Sequence, residues 1–308
     1  MSAAQPGRVT NEAAASVDPI GGVGAGLVRR VRMASRRDLS WTVCAVAGMV
    51  LGWELLSAAL GRAPVSHERY LPNLGTIIHT YDDLSYYWNG GFGVKATTQG
   101  GPVDFGSATL SLIQNTWVTG LRLAAGLAMG LSASILLAAL VSWSRVVRRI
   151  LWLPAHAARM LPLLAMFPLF GLWFGKQERG AILFVALAAF AIMFIVALTA
   201  IDNVPTYYQQ YARALGAGRV RTYLTVVLPA ALPSMRSGVV LALGFGWSMV
   251  IAAEFIGQTV GLGHVVLLAN LYGRTDVLAV LALFIVIYAA VSYRVVGGAF
   301  DYLVRWRE

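Results

Sequence analysis

Few side chains in this 308-residue sequence are spaced for chemistry. The four histidines, His67, His79, His156 and His264, are scattered without ligand spacing, so no metal ligand is expected among them. Residues 171–177, GLWFGKQ, superficially suggest a phosphate loop. They lack the Ser or Thr after the lysine and the glycine spacing that a phosphate cradle needs. The glycines of 21–26, GGVGAG, follow no strand and precede no Lys-Ser or Lys-Thr, so they carry no nucleotide signature. The lone Cys44 lies in an apolar run and is expected to be a small buried hydrophobe. The expectation is no catalytic residue and no cofactor on this chain.

A different chemistry comes from ionisable residues inside apolar runs, which are costly there and face protein or a water-filled path. Glu54, Arg122 and Glu254 are of this kind. Arg122 has two readings, an interhelical pair or snorkelled charge on one side and the lining of an anion path on the other. A carboxylate repels anions, so Glu254 is read as the structural partner of a backbone or arginine donor. The run 151–174 carries Pro154, Pro162 and Pro168. Interior prolines kink or break helices, which is tolerated where protein or a cavity re-satisfies the backbone. Arg122, Pro162, Met166 and Pro168 are therefore the candidates for a translocation path, with kinked packing an equal alternative for the prolines. Met160, Met166, Phe167 and Trp173 have packing as the commoner role. GLAMG (126–130) and GMVLG (48–52) have the small-xxx-small spacing of close helix approach.

The elements that must position these residues are membrane helices. Hydrophobic residues make up 58% of the chain and charged ones only 12%, about half the charged share of a soluble domain. The expected class is all-α and polytopic. Six spans fall at about 39–60, 110–141, 151–174, 181–201, 234–256 and 277–297. Residues 1–38 read as a disordered basic tail with Arg29, Arg30, Arg32, Arg36 and Arg37 near its end. The length of the first run and the tail before it favour a retained span over a cleaved signal. Between the first two spans, 61–109 reads as an outer segment. It holds Leu71-Pro72-Asn73, a short interfacial helix over 74–88 with Tyr81, Tyr86, Tyr87 and Trp88, and a Gly-rich insert over 89–106. The core is 110–301, with a loop at 202–232, and 302–308 is a short tail.

Placing the N-terminus inside gives the cytoplasmic side Arg145, Arg148, Arg149, Arg159, Arg213, Arg219, Arg221, Arg236, Arg294, Arg305 and Arg307, besides the tail cluster. Only Arg62, Arg69, Lys95, Lys176, Arg179 and Arg274 remain outside. The positive-inside bias puts both termini in the cytoplasm. The net charge of +10 is spread over short loops and forms no patch with interleaved aromatics, so nucleic acid is not an expected partner.

That orientation places 210–229, QYARALGAGRVRTYLTVVLP, inside as a basic, part-helical island between two spans. Pro205 suits a first helical turn, and Tyr208, Tyr211, Ala212 and Leu215 share one face of the helix that follows. Gln209, Gln210 and Arg213 lie away from that face. Gly216 permits a left-handed turn, and a second helix is expected over 219–228, ended by Pro229. The island is thus an elbow with an aromatic face. A simple pore has no need of one, whereas a transporter driven by a separate motor does.

The island resembles the cytoplasmic loop of ABC importer permeases, E-A-A-x3-G-x9-I-x-L-P, at Gln210, Tyr211, Ala212, Gly216, Val226, Leu228 and Pro229. Glutamine stands for the family's glutamate and tyrosine for its first alanine. Residues 71–301 resemble the permeases of nitrate, sulfonate and taurine-type importers. The resemblance lies in RMLPLLAMFPLFGLWFG (159–175), VVLPAALPSMRSGVVLALGFGWSMVIAAEFIG (226–257), GLG (261–263) and RTD (274–276). It implies that Gln210, Tyr211, Ala212, Arg213, Leu215, Gly216, Leu228 and Pro229 meet an ATPase. It also implies a permease homodimer, two ABC ATPase subunits that hold ATP and Mg, an extracytoplasmic solute-binding protein and a small, anionic cargo. Membrane lipid surrounds such a chain. The competing class is a motor-independent channel or secondary carrier, and no convincing internal repeat of that class is found.

Overall fold

The structure, a computed structural model, describes residues 41, 43–45, 47–61, 71–91, 93–160, 162–174 and 177–305. The basic tail 1–38, Arg62, His67, Arg69, Lys176 and Arg307 lie outside the described residues. The chain divides into two units, 1–59 and 60–308. In the first, helix α1 (Val43–Leu60) is apolar along its length. Cys44 is exposed on this helix, not buried as its apolar run suggests. Gly48 and Gly52 have no neighbour within 4 Å of an added Cβ, so this spacing makes no close approach.

The second unit holds the remaining elements, all helical. Helix α2 (Leu74–His79) begins where the Asn73 side chain accepts from the Thr76 backbone N–H. A 3-10 stretch, Thr80–Tyr87, continues it. The aromatic segment is therefore helical as expected, but Trp88 and Leu84 are buried against protein. Asp104 caps α3 (Phe105–Trp143) by accepting from the Ser107 N–H, which holds its carboxyl below the usual carboxylate range. Helices α4 (Arg145–Met160), α5 (Phe167–Phe174), α6 (Glu178–Asp202) and α7 (Thr206–Ala214) follow. A continuous rod α8 (Arg219–Gly257), then α9 (Leu262–Leu271) and α10 (Thr275–Leu303), complete the order.

Among the described residues five helices, α1, α3, α6, α8 and α10, are long and apolar enough to cross a membrane by length and composition. The expected third span, 151–174, is divided. Pro154 lies inside α4, and the chain passes through a 3-10 turn, Leu163–Met166, before α5. Pro162 lacks the N–H of a helical bond and restricts the residue before it, so α4 does not run on into α5. Its two halves dock separately. Val147 and Leu151 pack on the cluster around Ala138, Ala197 and Val227, while Phe170 belongs to the cluster around Phe184 and Trp247.

Pro229 does not end the second elbow helix, as the sequence reading has it. The backbone stays helical from Arg219 to Gly257. A π-helical turn, Tyr223–Val227, stands before Pro229, and a 3-10 turn, Leu232–Met235, contains Pro233. Each local change of winding accommodates a residue with no N–H to donate, so the rod is rewound and not broken.

The centre of the bundle is the contact of α3 with α6. A Cβ at Gly126 falls 2.6 Å from Val185 Cβ, and one at Gly130 falls 2.4 Å from the Ala186 carbonyl oxygen. With Ala188, Ala189 and Ala197 buried opposite, the two backbones approach as small residues allow when lipid offers no hydrophobic drive. Gly130→Leu therefore forces α3 and α6 apart. The expected loss is about 1–3 kcal/mol, read as a lowered Tm of the detergent-purified chain, whereas Gly120→Ala, with open space at its Cβ, leaves Tm unchanged.

Candidate functional site

At one end of the bundle the chain leaves α6 and forms the elbow. Helix α7 ends on Leu215, and Gly216 adopts φ +82°, the left-handed turn that glycine makes without strain. The Ala217 N–H donates to the Ala212 carbonyl at 3.0 Å and the Gly216 N–H to the Arg213 carbonyl at 2.9 Å. This pair satisfies the last carbonyls and fixes the angle at which the chain turns into α8. Outward from the turn stand Tyr207, Tyr208, Tyr211 at 68% exposed and Leu215 at 89% exposed. Tyr207 stacks near both other tyrosines, at 4.5 and 6.2 Å between ring centroids. Gln209 and Ala212 lie on the half-buried side. The elbow thus offers a row of apolar and aromatic anchors one helical turn apart, the pattern with which a helix enters a partner's groove.

The elbow is stapled to the membrane helices. The Tyr223 hydroxyl donates to the Ala139 carbonyl at 2.9 Å and also meets Ser142 Oγ, while its ring packs edge-on to Trp143 at 5.0 Å. The Arg219 guanidinium lies over the Trp143 ring at 4.8 Å. Arg148 of α4 pairs with Asp202 at the end of α6, and Arg236 of α8 makes a two-pronged bond to Asp301 of α10 at 2.7 and 3.0 Å. Of the eight elbow residues expected from sequence, Gln210, Tyr211, Ala212, Arg213, Leu215 and Gly216 form the projecting helix and turn. Leu228 and Pro229 sit further along α8, half-buried, with Leu228 packed on the core. Trp143, Arg219 and Tyr223 were not legible as staples, because nothing in their spacing relates α3 to α8.

The opposite end holds a buried polar cluster. Arg122 of α3, 3% exposed, places Nη1 at 2.7 Å from Glu254 Oε1, and Glu254 of α8 is fully buried. All five guanidinium N–H groups find acceptors. Nε and Nη2 meet Glu178 of α6 at 2.6 and 2.5 Å, Nη1 also meets the Val260 carbonyl at 2.6 Å, and Nη2 meets Gln258 at 3.3 Å. Glu254 Oε2 accepts from Thr119 Oγ1 at 2.8 Å and from the Gly263 N–H at 3.0 Å. Thr119 accepts in turn from the Leu262 N–H, and Asn115 from the Gly261 N–H. The GLG segment is dictated by this fit. Gly261 has φ +127° and would bring a Cβ to 2.4 Å from the Glu254 carboxyl carbon, and a Cβ on Gly263 would lie 2.3 Å from the Ile251 carbonyl oxygen.

The pairing read for Glu254 is what the structure holds, and Arg122 takes the interhelical one of its two readings. Its partners come from α6, α8 and the loop before α9, and none from Pro162, Met166 or Pro168, which lie around the break between α4 and α5. Asn115, Thr119, Glu178 and Gln258 escaped sequence reasoning. A polar residue on each successive turn of α3 (Ser111, Asn115, Thr119, Arg122) was the signal that could have found that face. A third cluster joins Arg274 to Asp276 and Asp83, with Thr80 donating to Asp276 at 2.9 Å. The Asp276 carboxylate holds the Arg274 guanidinium above its ordinary pKa.

Comparison with known proteins bears on both ends. Residues 130–308, more than half of the chain, match the family described as binding-protein-dependent transport system inner membrane component. The taurine transport system permease protein TauC of Escherichia coli strain K12 is 37% identical over 193 residues, which cover 59% of this chain and 66% of TauC. The match thus spans just under two thirds of that relative. A solved structure of the inward-facing MetNI methionine ABC transporter contains a chain similar in fold, with a TM-score of 0.52 at 20% identity. The alignment covers 63% of this chain and 94% of that one.

Arg122→Met leaves Glu254 buried without its cation. The expected cost is about 3–5 kcal/mol, and Arg122→Met with Glu254→Leu costs less than the single change. Thermal unfolding of the two variants, purified alike, checks the order.

Proposed function

We propose that this chain, which belongs to the binding-protein-dependent transport system inner membrane component family, is the membrane-spanning permease subunit of an ATP-binding cassette importer. Its cargo in this reading is a small anionic solute of the sulfonate, taurine or nitrate kind. An extracytoplasmic solute-binding protein delivers the cargo, and two ATPase subunits drive it through a permease homodimer. The hydrolysis takes place on those partner chains, which hold ATP and Mg. Both termini and the elbow lie in the cytoplasm, in keeping with the arginine distribution. The TauC likeness supports the cargo class, and the segment from Gly257 to Asp276 at the opposite end, where Leu271 and Tyr272 are exposed, is the surface offered to the binding protein.

One observation carries the reading: an exposed aromatic face on α7 is joined by the fixed Gly216 turn to a rod that stays helical from Arg219 to Gly257. Motion applied at Tyr211 or Leu215 passes through Gly216 into α8, and the Tyr223 and Arg236 contacts carry it to α3 and α10. Cargo then acts only through its differing affinity for the two access states. A secondary carrier has no use for such a face.

Gly216→Pro, or Ala212 replaced by a bulky residue, is expected to abolish uptake in vesicles containing the ATPase and the binding protein, with membrane insertion intact. A cysteine at Tyr211 should crosslink to the ATPase. Normal uptake by these variants, or labelling of position 211 from outside the cell, would refute the assignment.

A further inference from the structure

Behind the elbow lies a polar cavity of about 240 Å³, lined by the ends of α3 and α6, by α7 and by the foot of α8. Arg213 and Arg219 both line it, together with Trp143, Asp202, Gln209 and Thr222. Asp202 is neutralised by Arg148, which stands outside the lining. The Ser142 and Tyr223 hydroxyls are spent on one another and on the Ala139 carbonyl. Neither Arg213 nor Arg219 makes a side-chain hydrogen bond or ion pair among the described residues. Arg219 is nonetheless fixed, because its guanidinium lies over the Trp143 ring. With its centre 4.8 Å from the ring centroid and none of its N–H groups given to a protein acceptor among the described residues, the guanidinium keeps its donors for a tetrahedral oxyanion.

From this placement we infer that the cavity binds a small oxyanion, a phosphate, sulfate or sulfonate group, between Arg213 of α7 and Arg219 of α8. Its volume is below that of sites for drug-sized ligands and suits a single anionic group with water. Two sources share this chemistry: a soluble anion, and the phosphate of a lipid headgroup at the membrane surface. Occupancy ties the projecting helix to the foot of the rod across the glycine turn. In the importer reading, on which this consequence rests, it sets how firmly the elbow transmits motion.

The test uses the purified full chain without ATPase, so its outcome is independent of the transport assignment. In detergent, Tm is followed with sodium sulfate or phosphate against chloride at equal ionic strength. The Arg219→Gln variant serves as reference, since general salting effects act on it equally. The expected result is a saturable rise in wild type, with half-saturation shifted about tenfold upward or lost in Arg219→Gln and Arg213→Gln. Arg149→Gln, outside the cavity, keeps the wild-type response. In nanodiscs of phosphatidylcholine with or without phosphatidylglycerol, a rise confined to phosphatidylglycerol and lost in Arg219→Gln assigns the phosphate to a lipid. Equal responses of wild type and both cavity variants in both arms overturn the proposal. Should Arg219→Gln fail to fold, Arg219→Lys, which keeps charge but not the fork, and Arg213→Gln decide it.

Discussion

One buried guanidinium organises this fold. Arg122 lies in an apolar helix where a charge is costly, and it is stable there only because α6, α8 and the loop before α9 all supply acceptors. The need runs in both directions. Glu254 has no exposure and requires the guanidinium, Thr119 and a backbone N–H together. Every partner lies far from Arg122 in sequence, so the cluster closes only when three membrane helices are in register. Packing alone does not achieve this, since lipid is as apolar as the side chains it competes with. The glycines at 126 and 130 let α3 and α6 meet, and the polar cluster decides at which height they stop.

The elbow is held by weaker means, and the contrast has physical sense. Its contacts are an aromatic edge, a stacked guanidinium, hydroxyl bonds to one carbonyl and two ion pairs that face solvent. Exposed ion pairs contribute roughly 1 kcal/mol or less each. Such contacts set the direction of the elbow without the cost of burying a charge. The stiff element is the backbone, through the bonded glycine turn and the helix that follows.

Much of this was legible in the sequence, for reasons that can be named. Apolar runs gave the spans, and arginine asymmetry offered an orientation. The Gly216 turn followed from a glycine at the end of a short amphipathic helix. Glu254 was readable because a carboxylate in an apolar run demands a donor. What stayed hidden depends on winding and on distance. Pro229 looks like a terminator, yet a π-helical turn ahead of it absorbs the missing N–H and keeps α8 whole. Conversely, 151–174 has the length of a span, and the prolines that divide it were seen without showing where the break falls. Arg122 had two readings until Glu178, 61% exposed and outside any pattern, took two of its N–H groups.

These differences separate the parts of the bundle by stiffness. Helices α3 and α6 share the glycine contact, and Arg122 ties both to α8, so displacing one against another breaks charge-assisted bonds, of which the one to Glu254 is fully buried. Among the described residues the α4–α5 segment has no comparable buried tie. It has a break at its middle and docks on one cluster through Val147 and Leu151 and on the other through Phe170. Beside α5 is an apolar recess of about 330 Å³, lined by Met129, Phe170, Trp173 and Phe190 among others. The rod is thus tied to α3 and α6 by charge-assisted bonds and meets α4 through apolar packing around Val227. The prolines that interrupt 151–174 thus divide it into two pieces, each held by a different cluster.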